Sequence, residues 1–178
     1  TQAPDGGEII RNALFEATGI LIDHAQGLVA GLIPADTEED RLADMKRGAE
    51  IMAALGWTGV HTMGMPVSDI ALYNYLADEG AIKLRLYHSI QAEEAGRFLE
   101  IGPQSSGNGK SITRAIKLML DGALGSRGAA LLEPYSDADT SGLMLTNADT
   151  LMPILTKALE DGIQINVHAI GDRANRQA

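Results

Sequence analysis

The chain has 178 residues, 45% hydrophobic and 21% charged, which describes an ordinary globular domain large enough for a sizeable core. Its net charge of −10, with the basic residues scattered and the nearest grouping (Arg41, Lys46, Arg47) set among acids, disfavours a nucleic-acid partner. Lacking cysteine, it can have neither a disulfide framework nor a thiolate metal site, and no apolar run approaches the roughly 18 residues of a membrane helix.

Residues 1–37 read as a loop-rich lead-in, with Pro4, Gly6, Gly7 and Gly19 and no clear βα unit. A helix is predicted over 38–55, where Leu42, Met45, Ala49, Met52 and Leu55 recur at helical spacing and Gly56 follows as a stop. A short strand, 57–61, precedes a helix over 69–78 that carries Ile70, Leu72, Tyr73 and Leu76. The strand 81–88 alternates, with Ile82, Leu84 and Leu86 on one side and Lys83, Arg85 and Tyr87 on the other. Residues 92–101 form a shorter helix, and a Gly/Ser-rich loop over 102–111 leads to a strand at 115–120. A long connection, 121–147, follows; its length points to function rather than linkage. Asn147 is the expected N-cap of a helix over 148–160, with Asp149 in its first turn. Gly162 ends that helix, the strand 163–168 begins, and Asp172 opens one more helical stretch.

Strands alternating with helices imply an α/β fold with a parallel sheet, closed either as an open doubly wound sheet or as a barrel. Parallel strands covered on both faces are apolar throughout. Here Gln164, Asn166 and His168 share one side of the last strand, and Lys117, Met119 and Asp121 one side of the strand before it. Polar side chains turned away from the helices suit the interior of a (β/α)8 TIM-type barrel. Such a barrel needs about eight units and roughly 250 residues, so about four central units are expected in 38–178, as part of a longer chain.

Three strand ends are expected to bring polar groups to one rim: His61, Lys117 with Asp121, and His168 with Asp172. A strand-end imidazole is either a hydrogen-bonded core residue or a metal ligand, and spacing does not choose between them. A lysine there must be paired, in this case with Asp121, or act as a Schiff-base nucleophile, or be carboxylated to an anionic metal ligand.

The runs Ile116–Lys117–Leu118–Met119–Leu120–Asp121–Gly122–Ala123–Leu124–Gly125–Ser126–Arg127 and Val167–His168–Ala169–Ile170–Gly171–Asp172–Arg173–Ala174 resemble paired motifs of the amidohydrolase superfamily. They are similar to the amidohydrolase family 3 branch, which contains N-substituted formamide deformylase and related metal-dependent hydrolases. The segments at 132–137, 141–143 and 59–64 fit the same branch, as do Gly6–Gly7 and 18–21, so the resemblance covers nearly the whole chain. It implies that Lys117 is the fourth-strand lysine, similar to carboxylated metal-bridging lysines, and that His168 is the fifth-strand histidine ligand. It places Asp121, Gly122 and Arg127 in the loop above the site, where substrate contact and loop-holding are both open, with Gly122 and Gly125 structural. His61 is a third candidate for substrate contact, with packing an equal alternative; Asp172 is a helix cap or an outer partner. His24 and His88 carry no motif and read as ordinary surface or loop residues.

The implied activity is cleavage of a C–N bond in a small amide-like substrate by water activated on one or two divalent ions, zinc first among them. The His-x-His pair, a further His and the Asp base of the family have no counterpart here. Two donors fall short of the about three protein ligands that catalytic zinc takes, so this stretch alone is expected to be inactive. Other readings are a Schiff-base lyase or aldolase using Lys117, and a non-catalytic binding relative. The expected setting is the cytoplasm, since no signal peptide is visible, with a small-molecule substrate, no membrane or nucleic acid, and self-association into a homo-oligomer left open.

Overall fold

In the computed structural model of the protein, residues 2–4 and 7–178 are described; Gly6 and the side chain of His24 lie outside that description. The chain divides into two compact units, one reaching Arg41 and one running from Leu42 to Ala178.

The first unit corrects the expectation of a loop-like lead-in. Strands β1 (Gly7–Arg11) and β2 (Ala17–Asp23) pair antiparallel, with Ile9 opposite Leu21. Asn12 closes the hairpin because its side-chain oxygen accepts from the amides of Leu14 and Glu16, at 2.9 and 3.0 Å. The hairpin was hidden in the sequence because its outer positions, such as Ile20, are exposed and leave no clean alternation. A one-turn helix, α1 (Gly27–Ala30), follows.

Helix α2 (Glu38–Ala54) starts on a reciprocal cap: the Asp40 amide donates to the Thr37 hydroxyl at 3.1 Å, and the Thr37 amide donates to the Asp40 carboxylate at 3.0 Å. Its packed face in the second unit is Leu42, Met45, Ala49 and Ala53. Met52 and Leu55, placed on that stripe by spacing, are exposed instead, because a 3.6-residue period carries the stripe on to Ala53.

The second unit runs β3 (Gly59–Met65), α3 (Asp69–Asp78), β4 (Arg85–Ile90), a 3-10 turn at 92–94, α4 (Ala95–Ile101), β5 (Gln104–Ser105), β6 (Ser111–Met119), α5 (Ala148–Glu160), β7 (Gln164–His168) and α6 (Asp172–Gln177). Strands β3, β4, β6 and β7 are parallel in that order, and β5 pairs antiparallel with β6 inside the stretch read as a loop. The helices fall where they are predicted, and Asn147 caps α5 by accepting from the Thr150 amide at 2.9 Å. The strands shift: β3 begins two residues after Trp57 and runs on to Met65, because Thr62–Met65 is paired with His88–Ile90 of β4. Among the described residues no helix is long and apolar enough to cross a membrane.

The sheet has two chemically distinct faces. One holds Ile90, Ile116, Leu118 and Ile163, which pack with Ile70 of α3, Phe98 of α4, and Leu151 and Ala158 of α5. At roughly 25 cal/mol per Å² of apolar surface removed from water, this packing is the main stabilising contribution of the unit. The other face carries His61, Met63, Tyr87, Ser89, Lys117, Gln164, Asn166 and His168, as cross-strand pairing and side-chain contacts show.

His88 is neither surface nor loop. It lies on the helix side, fully buried, with its ring 4.4 Å from that of Tyr73 and Nδ1 3.1 Å from the Thr62 hydroxyl. Burial without a charged partner pushes its pKa down to about 4. The unfolded chain therefore binds a proton that the folded one refuses. The stability tied to the neutral ring is complete above the ordinary histidine value and is lost as pH falls from about 6.5 towards 4. Urea unfolding at pH 7 and pH 4.5 should differ by about 2 kcal/mol from this residue, and the difference should shrink by that amount in His88→Leu.

Candidate functional site

Lys117 and His168 stand on adjacent strands near their carboxyl ends. In the β6–β7 register Lys117 pairs with Asn166 and Met119 with His168. Both side chains lie on the polar face and are partly buried. His61 does not join them. It pairs with Tyr87 in the amino-terminal half of β3, its ring 5.2 Å from the Tyr87 ring, because the strand continues four residues beyond it. The expectation that His61 sits at a strand end beside the other two is therefore wrong.

Asp121 follows the end of β6 and is completely buried. Its carboxylate accepts from the backbone amides of Ile170 at 3.0 Å, Gly171 at 2.7 Å and Ala130 at 2.9 Å. The Nε2 of His168 lies 3.7 Å from the same carboxylate and 3.4 Å from the Gly122 carbonyl. Burial pushes the Asp121 carboxyl up, but the three amides and the nearby imidazole outweigh it and hold the group below the usual carboxylate value. The clasp therefore contributes stability above that value and loses it as pH falls below it. Of the two roles open to Asp121, loop-holding is the one its contacts match. No hydrogen bond or ion pair joins it to Lys117 among the described residues.

Residues 121–147 are irregular but densely tied. The Gly122 amide donates to the Gly128 carbonyl at 3.0 Å, and the Leu145 amide donates to the Leu120 carbonyl at 2.7 Å. Arg127, in a left-handed conformation with φ 56°, makes a two-pronged ion pair with Asp137 at 3.1 and 2.8 Å. Both partners are exposed, and this pair too fastens the loop to itself. The Asp172 carboxylate accepts from the Leu132 amide at 2.9 Å, while the second and third amides of α6, Arg173 and Ala174, donate to the Ala130 carbonyl. Gly171 is the residue before α6, and a Cβ there would collide with the Ala130 carbonyl; one at Gly142, where φ is +76°, would collide with the Ala129 carbonyl. The 129–130 backbone is thus held between two glycines.

Lys117 has no hydrogen bond or ion pair among the described residues, which leaves its amine open to chemistry. The Nε2 side of His168 faces a carboxylate and a carbonyl, as the outer nitrogen of a metal-bound imidazole commonly does, so its geometry fits a ligand role. These two donors are part of a shell only, since among the described residues no group of three or more His, Asp or Glu is placed to hold a metal. Beneath them lies a network that sequence reasoning did not assemble, linking Tyr87 to Gln164, Gln164 to Asn166 and Asn166 to Ser89, each at 2.9 Å. The alternation of β4 and β7 marked Tyr87, Gln164 and Asn166 as polar-face residues; which strands were neighbours was not visible.

Removal of the Asp121 carboxylate would strand two buried amides, of Ala130 and Gly171, each worth about 1–3 kcal/mol, and the part-buried amide of Ile170. Denaturant unfolding of Asp121→Ala should show a loss of about 3 kcal/mol or more, and Gly171→Ala should fail to reach wild-type stability. Arg127→Ala, which breaks an exposed pair, should change the midpoint little.

The sequence model described as Amidohydrolase family matches residues 1–178. The chain is 32% identical over 181 residues to YtcJ of Bacillus subtilis (strain 168), a protein named for the amidohydrolases, covering 98% of this chain and 34% of that protein. It is 28% identical to Protein LONG AFTER FAR-RED 3 of Arabidopsis thaliana, covering 98% of this chain and 32% of that one. Among solved structures, an uncharacterised metal-dependent hydrolase from Pyrococcus horikoshii OT3 superposes with a TM-score of 0.76 at 28% identity, over 94% of this chain and 36% of the other. One from Pyrococcus furiosus gives 0.75 at 27% identity, over 90% and 35%. The chain spans about a third of the length of the curated relatives it matches. With a parallel α/β sheet of the same fold and a family match along its whole length, this chain belongs to the amidohydrolase family.

Proposed function

We propose that the complete protein is a metal-dependent hydrolase that cleaves a C–N bond of a small amide-like substrate, and that Lys117 and His168 are two of its metal donors. The observation that carries this reading is the pairing of an uncommitted lysine with a histidine backed by a buried carboxylate, at the same end of adjacent parallel strands. The (β/α)8 barrel is the closure that would place both inside a single mouth, with further strands supplying the remaining ligands and the Asp base. A divalent ion, zinc by preference and one or two in number, would polarise the scissile carbonyl and acidify water when bound.

The residues of this chain have the following parts in that reading. His168 offers a ring nitrogen while Asp121 holds its orientation from the other side. Lys117, as a carbamate, would present an oxygen from the neighbouring strand. The clasp made by Asp121, Gly171 and Ala130 keeps the rim rigid, so that donors on two strands hold their spacing. We place the protein in the cytoplasm, acting on a small molecule rather than a nucleic acid. The competing assignment, a Schiff-base enzyme, uses the same free amine of Lys117. Borohydride reduction with a carbonyl substrate would then leave a covalent adduct on Lys117, and its absence in a metal-requiring enzyme removes that reading.

Metal analysis of the full-length protein is the direct test. Lys117→Ala and His168→Ala should each lower bound metal well below the wild-type ratio and reduce turnover by a factor of 100 or so, in line with loss of a ligand. Unchanged metal content in both variants would overturn the assignment.

A further inference from the structure

We propose that Asn166 is the positioning residue of this site, held by a hydrogen-bonded floor that crosses β6 beneath Lys117. The proposal rests on the reading of Lys117 and His168 as metal donors. The Tyr87 hydroxyl donates to Gln164 Oε1 at 2.9 Å, Gln164 Nε2 donates to Asn166 Oδ1 at 2.9 Å, and Asn166 Nδ2 donates to Ser89 Oγ at 2.9 Å. The Ser89 hydroxyl in turn donates to the Met63 sulfur at 4.0 Å, so the chain of contacts reaches β3.

Tyr87 and Ser89 belong to β4, Gln164 and Asn166 to β7, and β6 lies between them. Both links therefore pass over β6. They pass at Ala115, which pairs with Ser89 on one side and Gln164 on the other, and whose methyl group leaves room for them. The next residue of β6 on that face is Lys117, which pairs with Asn166. The amides thus fill the space on the amino-terminal side of the lysine. On this proposal the space left to its head group lies towards the carboxyl end of the strands, where His168 stands one step further along β7.

Flexible lysine head groups lose much rotamer freedom when fixed in one place. Lys117 has no bonding partner of its own among the described residues, and the part proposed for the floor, which lies beside it on the same face, is to restrict where its head group can go. Asn166 is committed at both ends, to Gln164 and to Ser89, and the serine is fully buried. A carboxamide bonded on both sides in series is stiffer than one facing solvent. Loss of a group hydrogen-bonded to a metal ligand commonly costs about 10–100-fold in metal affinity; Asn166 acts on Lys117 as its register neighbour and not through a bond, so the lower end of that range is expected.

The experiment titrates zinc into the metal-free full-length protein against a chromophoric chelator, with melting temperature read in parallel. Asn166→Leu keeps the volume and removes both bonds; it should weaken zinc binding about tenfold or more while the protein still melts cooperatively. Tyr87→Phe, which deletes only the far bond, should weaken it by a smaller factor, and Ser89→Ala should fall between. A merely structural role would lower the melting temperature and leave zinc affinity at the wild-type value, and that result overturns the proposal. If Asn166→Leu does not fold, Tyr87→Phe and Ser89→Ala decide the matter by the same criterion. If Lys117→Ala and His168→Ala lose zinc while the floor variants keep it, only this proposal falls. If those two also keep zinc, the donor assignment itself falls and takes this one with it.

Discussion

The carboxylate of Asp121 is the interaction on which the site depends. It is fully buried, and it receives amides from two separate stretches of chain, the 129–130 backbone and the turn between β7 and α6. A buried charge is unfavourable unless its hydrogen-bonding capacity is filled, and here protein amides fill it. The cost of moving any one of these segments is therefore the exposure of a carboxylate to unpaired apolar surroundings. That cost ties the end of β6 to the end of β7, and with them the relative placement of Lys117 and His168. The His168 imidazole leans on the same carboxylate, so one group organises both the loop and the candidate ligand.

The two faces of the sheet divide the work. On the helix side, Ile116, Leu118 and Ile163 alternate with the polar-face residues of their own strands and meet Phe98, Leu151 and Ala158 in a dry core. On the other side, Tyr87 and Ser89 of β4 are bonded to Gln164 and Asn166 of β7 across the intervening β6, while Lys117 has no bond among the described residues. The helix side also admits polar residues, Thr62, Ser111 and Thr113 beside His88, and His88 stays neutral because burial disfavours its charged form. A site built on such a sheet receives rigid donors, since each stands on a strand whose opposite face is packed.

The long connection 121–147 illustrates how irregular backbone can be well determined. It has little regular structure, yet backbone hydrogen bonds such as Gly122 to Gly128, Leu131 to Ser141 and Leu143 to Gly128 cross it, and two glycines bracket the 129–130 backbone so closely that no side chain fits. Among its charged side chains Arg127 and Asp137 bind each other, and Asp172 of α6 accepts from the loop's Leu132 amide, so these groups hold the loop. The same physical logic explains why a motif rich in polar residues can be structural at most of its positions and chemical at only a few.

The sequence by itself determined the order of strands and helices in residues 38–178 apart from β5, the capping of α5 by Asn147, and the sidedness of β6 and β7, because helical and strand periods are local properties of the chain. It marked Lys117 and His168 through the motifs that surround them. It did not determine where β3 ends, and so it put His61 at a rim from which the structure removes it, since strand length is set by the pairing partner, β4. The amino-terminal hairpin, the burial of His88, the loop-holding role of Asp121 and the floor beneath Lys117 were decided only by tertiary structure. Each of these depends on which residues far apart in the chain come within hydrogen-bonding distance, as Tyr87 does with Gln164, and no local pattern carries that information.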